Sequence, residues 1–164
     1  MYYSNLFFIF SIIGFIIEKI TNPKRNSGIL FGPWTPVYGF GVIITIFIYK
    51  KLKLRFKLSG IKKLIISALI GFIILTLLEF IGGYLIEKLL NITFWDYSNE
   101  KFSIGRFISL KMAFIWSISS ILIVYIIEPI SSKITKIIPK YLTYIMYTLF
   151  TIDNFVSLSK YLIK

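Results

Sequence analysis

The sequence predicts an all-α fold: a polytopic transmembrane bundle of about five helices, with an irregular Gly/Pro segment after the first. Three observations carry that reading. The chain is 57% hydrophobic with a mean hydropathy of +0.80, above the roughly 45–50% apolar content of soluble domains. At 164 residues it has too little interior to hide the excess from water. The apolar residues also come in blocks whose longest members match the roughly 20 residues needed to cross a bilayer. One integral membrane domain, residues 1–164, is the organisation this implies.

The first block runs from about Leu6 to Ile20 and the second from about Val37 to Tyr49. Both are short for a span, so they need help from the segment between them. The third runs from about Leu64 to Leu90, the fourth from Phe107 to Ile130 and the fifth from Tyr141 to Ile163. Ile, Leu and Phe dominate all five, and lipid forces such backbone into helices because no water is there to satisfy it. Met1 to Asn5 carry no basic residue and no small-residue cleavage site follows, so the first block is expected to be retained.

Nineteen Lys and Arg against seven Asp and Glu give a net charge of +12. The basic residues lie between the blocks, where cytoplasmic loops and anionic headgroups favour them, so the balance points to lipid and away from nucleic acid. Lys50 to Lys63 holds seven bases and no acid. Residues Lys51 to Leu58 alternate strictly and would suit an amphipathic strand; a cytoplasmic loop against headgroups is the favoured account. That places the chain in the cell membrane with a cytoplasmic N-terminus. Cysteine and histidine are absent, which excludes disulfides, thiolate chemistry and His-based acid–base or metal sites.

Between the first two blocks, Asn26 to Gly41 holds four glycines and two prolines, too many for a regular helix. The same stretch is apolar and aromatic. It reads either as a re-entrant segment or as an interfacial turn anchored by Trp34 and Tyr38.

Acids inside apolar blocks are costly, about 2.5–3.5 kcal/mol at mid-bilayer on insertion scales, so they mark candidate sites. Glu79 lies well inside the third block, before Gly82, Gly83 and Glu87; Glu18 follows Gly14 by one helical turn. A polar site would have Glu79, Glu18 and Arg106 lining it, with Asp96 and Tyr97 at its mouth. The structural alternative for Glu79 is an ion pair with a base such as Arg106 or Lys111, or a hydrogen bond from a protonated carboxyl. Asp96 could equally cap a turn in an anchored loop. Asp153 sits among Thr148, Thr151, Asn154 and Ser157 in the fifth block, and Ser117, Ser119 and Ser120 in the fourth permit close helix contact.

These segments together resemble a bacterial membrane family, the ABC-transporter type IV permeases. Gly14-Phe-Ile-Ile-Glu18 leads to Asn26-Ser-Gly28, then Gly32-Pro33-Trp-Thr-Pro36-Val-Tyr38-Gly39. The second part is Glu79-Phe-Ile-Gly82-Gly83, then Trp95-Asp96-Tyr97-Ser98, Gly105-Arg106 and Trp116. The resemblance implies a transport component. No Gly-x-x-x-x-Gly-Lys-Ser/Thr loop is present, so ATP hydrolysis would fall to a separate ATP-binding subunit. Five helices are few for a translocation path, so a homodimer is expected. No cofactor is called for. Rival readings are a membrane enzyme acting on a lipid-linked substrate through its carboxylates, or an accessory subunit of a membrane complex.

Overall fold

A computed structural model of the chain describes residues 1–21 and 28–162. Among them are five helices: α1 (Tyr2–Thr21), α2 (Pro36–Phe56), α3 (Gly60–Leu90), α4 (Leu110–Ile137) and α5 (Lys140–Leu162). The all-α reading holds. Two short antiparallel strands, β1 (Ser103–Ile104) and β2 (Ile108–Ser109), pair Ser103 with Ser109 and Ile104 with Ile108 in the connection before α4. Helices α1, α3 and α4 are long and apolar enough to cross a membrane.

The chain divides into two compact units, residues 1–40 with 131–164, and residues 41–130. In the first unit α1 buries one stripe, Asn5, Phe8, Ser11 and Gly14 among its members, at the three-to-four-residue spacing of a single helix face. Part of that stripe is polar. Thr143 of α5 donates to Asn5 Oδ1 at 2.6 Å, and Asn5 Nδ2 donates to the Thr135 carbonyl at 3.3 Å. Phe7, Phe8, Trp34, Tyr147 and Phe150 fill the space beside them in edge-on pairs.

Residues 28–35 are non-helical, as the glycines and prolines require, and α2 begins at Pro36, a favoured first helical position. The segment docks on α1. Thr35 N–H donates to the Ser11 carbonyl at 2.9 Å, and Tyr38 covers Gly14 so closely that a Cβ there would overlap its ring. Gly39 does the same in reverse, with Ser11 Oγ and the Phe7 carbonyl 2.5 and 2.6 Å from where its Cβ would stand. Asn26 lies outside the described residues.

In the second unit Tyr49, Leu58, Ile70 and Val124 form a core, with Ile48, Leu52, Ile66 and Ile74 around it. Both α3 and α4 contain a π-helical stretch, Ile70–Leu75 and Ile123–Ile127. Gly71 opens the first onto the backbone of Trp116 and the side chain of Ser120. Ser117 Oγ donates to the Ala68 carbonyl at 3.0 Å, so small residues do bring these helices together.

The basic stretch departs from both earlier expectations. Lys50 to Phe56 continues α2, neither strand nor loop, and only residues 57–59 separate it from α3. Lys57 takes a left-handed conformation (φ 47°) and Leu58 N–H returns to the Lys53 carbonyl at 3.4 Å. That is a Schellman closure, with Leu58 buried behind it. Alternation lost because α2 was already propagating, and each further residue adds a helical hydrogen bond.

Candidate functional site

Glu79 is the deepest acid among the described residues, 6% exposed within the long apolar helix α3. Its two oxygens are held separately. Tyr97 Oη donates to Oε1 at 2.8 Å, and Trp116 Nε1 donates to Oε2 at 2.7 Å. No Lys or Arg among the described residues pairs with it. The donors come from two elements: Trp116 from α4, and Tyr97 from the connection that leaves α3 at left-handed Asn91.

Arg106 takes other partners. Its guanidinium contacts Glu87 and lies 3.7 Å from Asp96 Oδ2. Lys111 reaches Glu100 at 3.4 Å, and Glu100 also accepts from Ser109 Oγ at 2.8 Å. The ion pair expected as the structural alternative for Glu79 is therefore replaced by neutral hydrogen bonds. The reason is reach: Arg106 is tied to the connection, where its carbonyl accepts from Tyr97 N–H at 2.8 Å.

Asp96 caps its own turn, accepting from Ser98 N–H at 2.8 Å. Hydrogen bonds from Ser98, and next the nearby Arg106 guanidinium, hold its carboxyl below the usual carboxylate range. Trp95 packs over Gly83 and edge-on to Phe107, at 6.3 Å between ring centroids. Gly82 faces open space.

Of the residues expected to form the site, the structure thus brings Glu79, Asp96, Tyr97 and Arg106 into one linked cluster. Consecutive residues 96 and 97 bridge its exposed ionic half and its buried half. Glu87 and Trp116 join it without having been chosen from the sequence. Glu18 belongs to the other unit, half-buried near the end of α1.

That other unit has its own half-buried clasp around Asp153. Phe31 N–H donates to Oδ1 at 3.0 Å and Gly32 N–H to Oδ2 at 2.9 Å. Ser157, one turn further along α5, accepts from Phe31 N–H at 3.1 Å and donates to Asp153 Oδ1 at 2.9 Å. Lys160 lies over the Phe31 ring at 5.3 Å. An open groove of about 630 Å³ runs beside this clasp, walled by Pro33, Trp34, Leu149, Ile152 and Val156. The i, i+4 spacing of Asp153 and Ser157 inside an apolar block was the available signal for it.

Chemically, the Glu79 cluster can hold a charge or a proton in an apolar surround. It offers neutral donors, one phenol that can also accept, and an ionic pair-network on its exposed side. Among the described residues no group of three or more acids gathers to hold a metal ion.

A family model described as "Putative ABC-transporter type IV" matches residues 5–158, and so spans both units. No curated protein and no solved structure gives a match. Several of the residues that carry the earlier resemblance meet in space. Gly14 meets Tyr38 in one unit, and Glu79 and Gly83 meet Tyr97 and Trp95 in the other.

Proposed function

We propose, since this chain belongs to the ABC-transporter type IV family of membrane proteins, that it is a multi-pass permease-like subunit whose polar site is built on Glu79. The observation that supports this reading is a buried carboxylate, deep in an apolar helix, held among the described residues by neutral donors alone. Such a group is expensive in lipid and is usually retained for a substrate, an ion or a proton. A structural ion pair would have placed a base beside it.

In this reading Tyr97 and Arg106 carry the site from the buried carboxylate to the exposed acids Asp96 and Glu87. ATP hydrolysis is supplied by a separate ATP-binding subunit, because the sequence holds no phosphate-binding loop of its own. Two copies of the chain complete the path, and the basic turn between α2 and α3 faces the cytoplasm.

Affinity purification of the full chain from its native membranes tests this. An ATP-hydrolysing subunit should be recovered with wild type and with Glu79→Gln alike, and hydrolysis by the recovered complex should fall in the variant. Recovery of no such subunit, or hydrolysis indifferent to Glu79, would sink the reading.

A further inference from the structure

The turn joining α2 to α3 presents an arrangement that the fold itself leaves unsorted. A period-two sequence has been wound into a helix, so its apolar residues cannot all reach one side. Leu58 is buried and Leu52 packs at the core's edge, but Leu54 is 83% exposed and Phe56 57%. Ile61, in the first turn of α3, is 66% exposed. These apolar side chains stand among seven bases, of which only Lys50 pairs with a carboxylate, Glu128 at 2.9 Å. Lys51, Lys53, Arg55, Lys57, Lys62 and Lys63 pair with no carboxylate among the described residues. Lys51 and Lys63 instead lie over the rings of Phe47 and Tyr125, at 4.4 and 3.8 Å.

The Schellman closure at Lys57 and the burial of Leu58 hold this array as a tight helical corner. Immediately after it begins α3, long and apolar enough to cross a membrane. Cations interleaved with exposed aliphatic and aromatic groups, at the end of such a helix, match the layer where headgroup phosphates meet acyl chains. Water would leave Leu54, Phe56 and Ile61 uncovered, and zwitterionic headgroups would bring no net negative charge to balance the six cations.

We infer that the corner formed by residues 51–63 is a binding surface for anionic phospholipid, with the cations engaging headgroup phosphates and Leu54, Phe56 and Ile61 inserted among the upper acyl carbons. The surface is separate from the Glu79 cluster, and its failure would leave the transport reading untouched.

The chain has no cysteine, so a single thiol can report on the corner. L54C carrying an environment-sensitive fluorophore is placed in nanodiscs of phosphatidylcholine alone, or of phosphatidylcholine mixed with phosphatidylglycerol. The emission should shift to the blue, and lose its quenching by iodide, in the mixed discs only. Raising salt on the same protein should reverse the shift, because exposed charges are screened. Neutralising Lys53, Arg55, Lys57 and Lys62 to Gln should abolish it, because the attraction of the corner to the anionic surface weakens roughly fivefold for each charge removed. Identical spectra in both discs overturn the inference. So does a shift that ignores salt and charge, which would mean burial in apolar surroundings alone. A shift produced by added polyglutamate in phosphatidylcholine discs, with none from phosphatidylglycerol, overturns it in favour of an acidic protein partner.

Discussion

Tyr97 Oη donates a 2.8 Å hydrogen bond to Glu79 Oε1 across eighteen residues of sequence, while Trp116 holds the other oxygen. The indole can only donate, whereas the phenol can donate or accept. Gln at position 79 can therefore still be satisfied, its oxygen facing Trp116 and its amide donating to Tyr97. Glu79→Gln should cost no more than about 1 kcal/mol. Glu79→Leu strands both donors and should cost about 2–6 kcal/mol, at about 1–3 for each buried group left unpaired. Arg106→Gln should add to Glu79→Gln and not rescue it, because the guanidinium belongs to Glu87 and Asp96. Thermal unfolding of the four variants in detergent decides among these outcomes, and rescue in the double variant would restore the ion-pair account.

Asp96 offers a pH test outside the apolar helices. Its carboxyl is held below the ordinary value, so its folded-state stabilisation is present above the unfolded pKa, about 3.9. It is lost as pH falls through the lowered folded value. Wild type should thus melt higher than Asp96→Asn at neutral pH, and the gap should close only below about pH 4. A gap constant from pH 7 to pH 2 would show that the turn does not depend on the charge.

The five helices were legible because lipid solvation writes them as apolar blocks, and the irregular stretch was legible because glycine and proline punctuate it. Helix ends were less so. The second block stops at the first charge, Lys50, whereas the backbone runs on: α2 extends seven residues past Tyr49 to Phe56. The site was legible in its residue types, since an acid inside an apolar run is conspicuous wherever it lies. Its pairing was not. Arg106 and Trp116 both follow Glu79 in the chain, and only the route of the 91–109 connection decides which of them reaches it. Asp153 was visible as an acid, with Ser157 one turn on, but its backbone partners lie 121 and 122 residues away.

The glycines separate into those that a side chain would break and those, Gly82 among them, that it would not. At Gly71 a Cβ would run into the Trp116 carbonyl and the Ser120 side chain, and backbone cannot move aside. Gly71→Ala should destabilise by about 1–3 kcal/mol, as overpacking does. Gly32 and Gly39 should behave alike, and Gly28 should resist Val because its φ of 133° is a region L residues avoid. Gly82 has nothing within 4 Å, so Gly82→Ala should be neutral or slightly stabilising in its helix. Equal losses at positions 71 and 82 would contradict this packing.

Asp153 fixes the irregular segment through two backbone N–H groups that have no helical partner of their own. Hydrogen bonds to a charged acceptor contribute about 1.5–3 kcal/mol. Asp153→Ala should therefore be among the costlier single changes in its unit. Asp153→Asn should fall between it and wild type: one oxygen still accepts, while the amide presents a donor to a donor. Ser157→Ala removes a bond to Phe31 N–H and one to the carboxylate, so its effect and that of Asp153→Ala should be less than additive. The segment itself can be watched, because F31C places the only thiol of the chain beside the clasp. Its rate of labelling should rise several-fold when Asp153→Ala is added and little when Asp153→Asn is. Unchanged labelling in both would mean that docking on α1 through Gly14, Tyr38 and Gly39 holds the segment without the carboxylate.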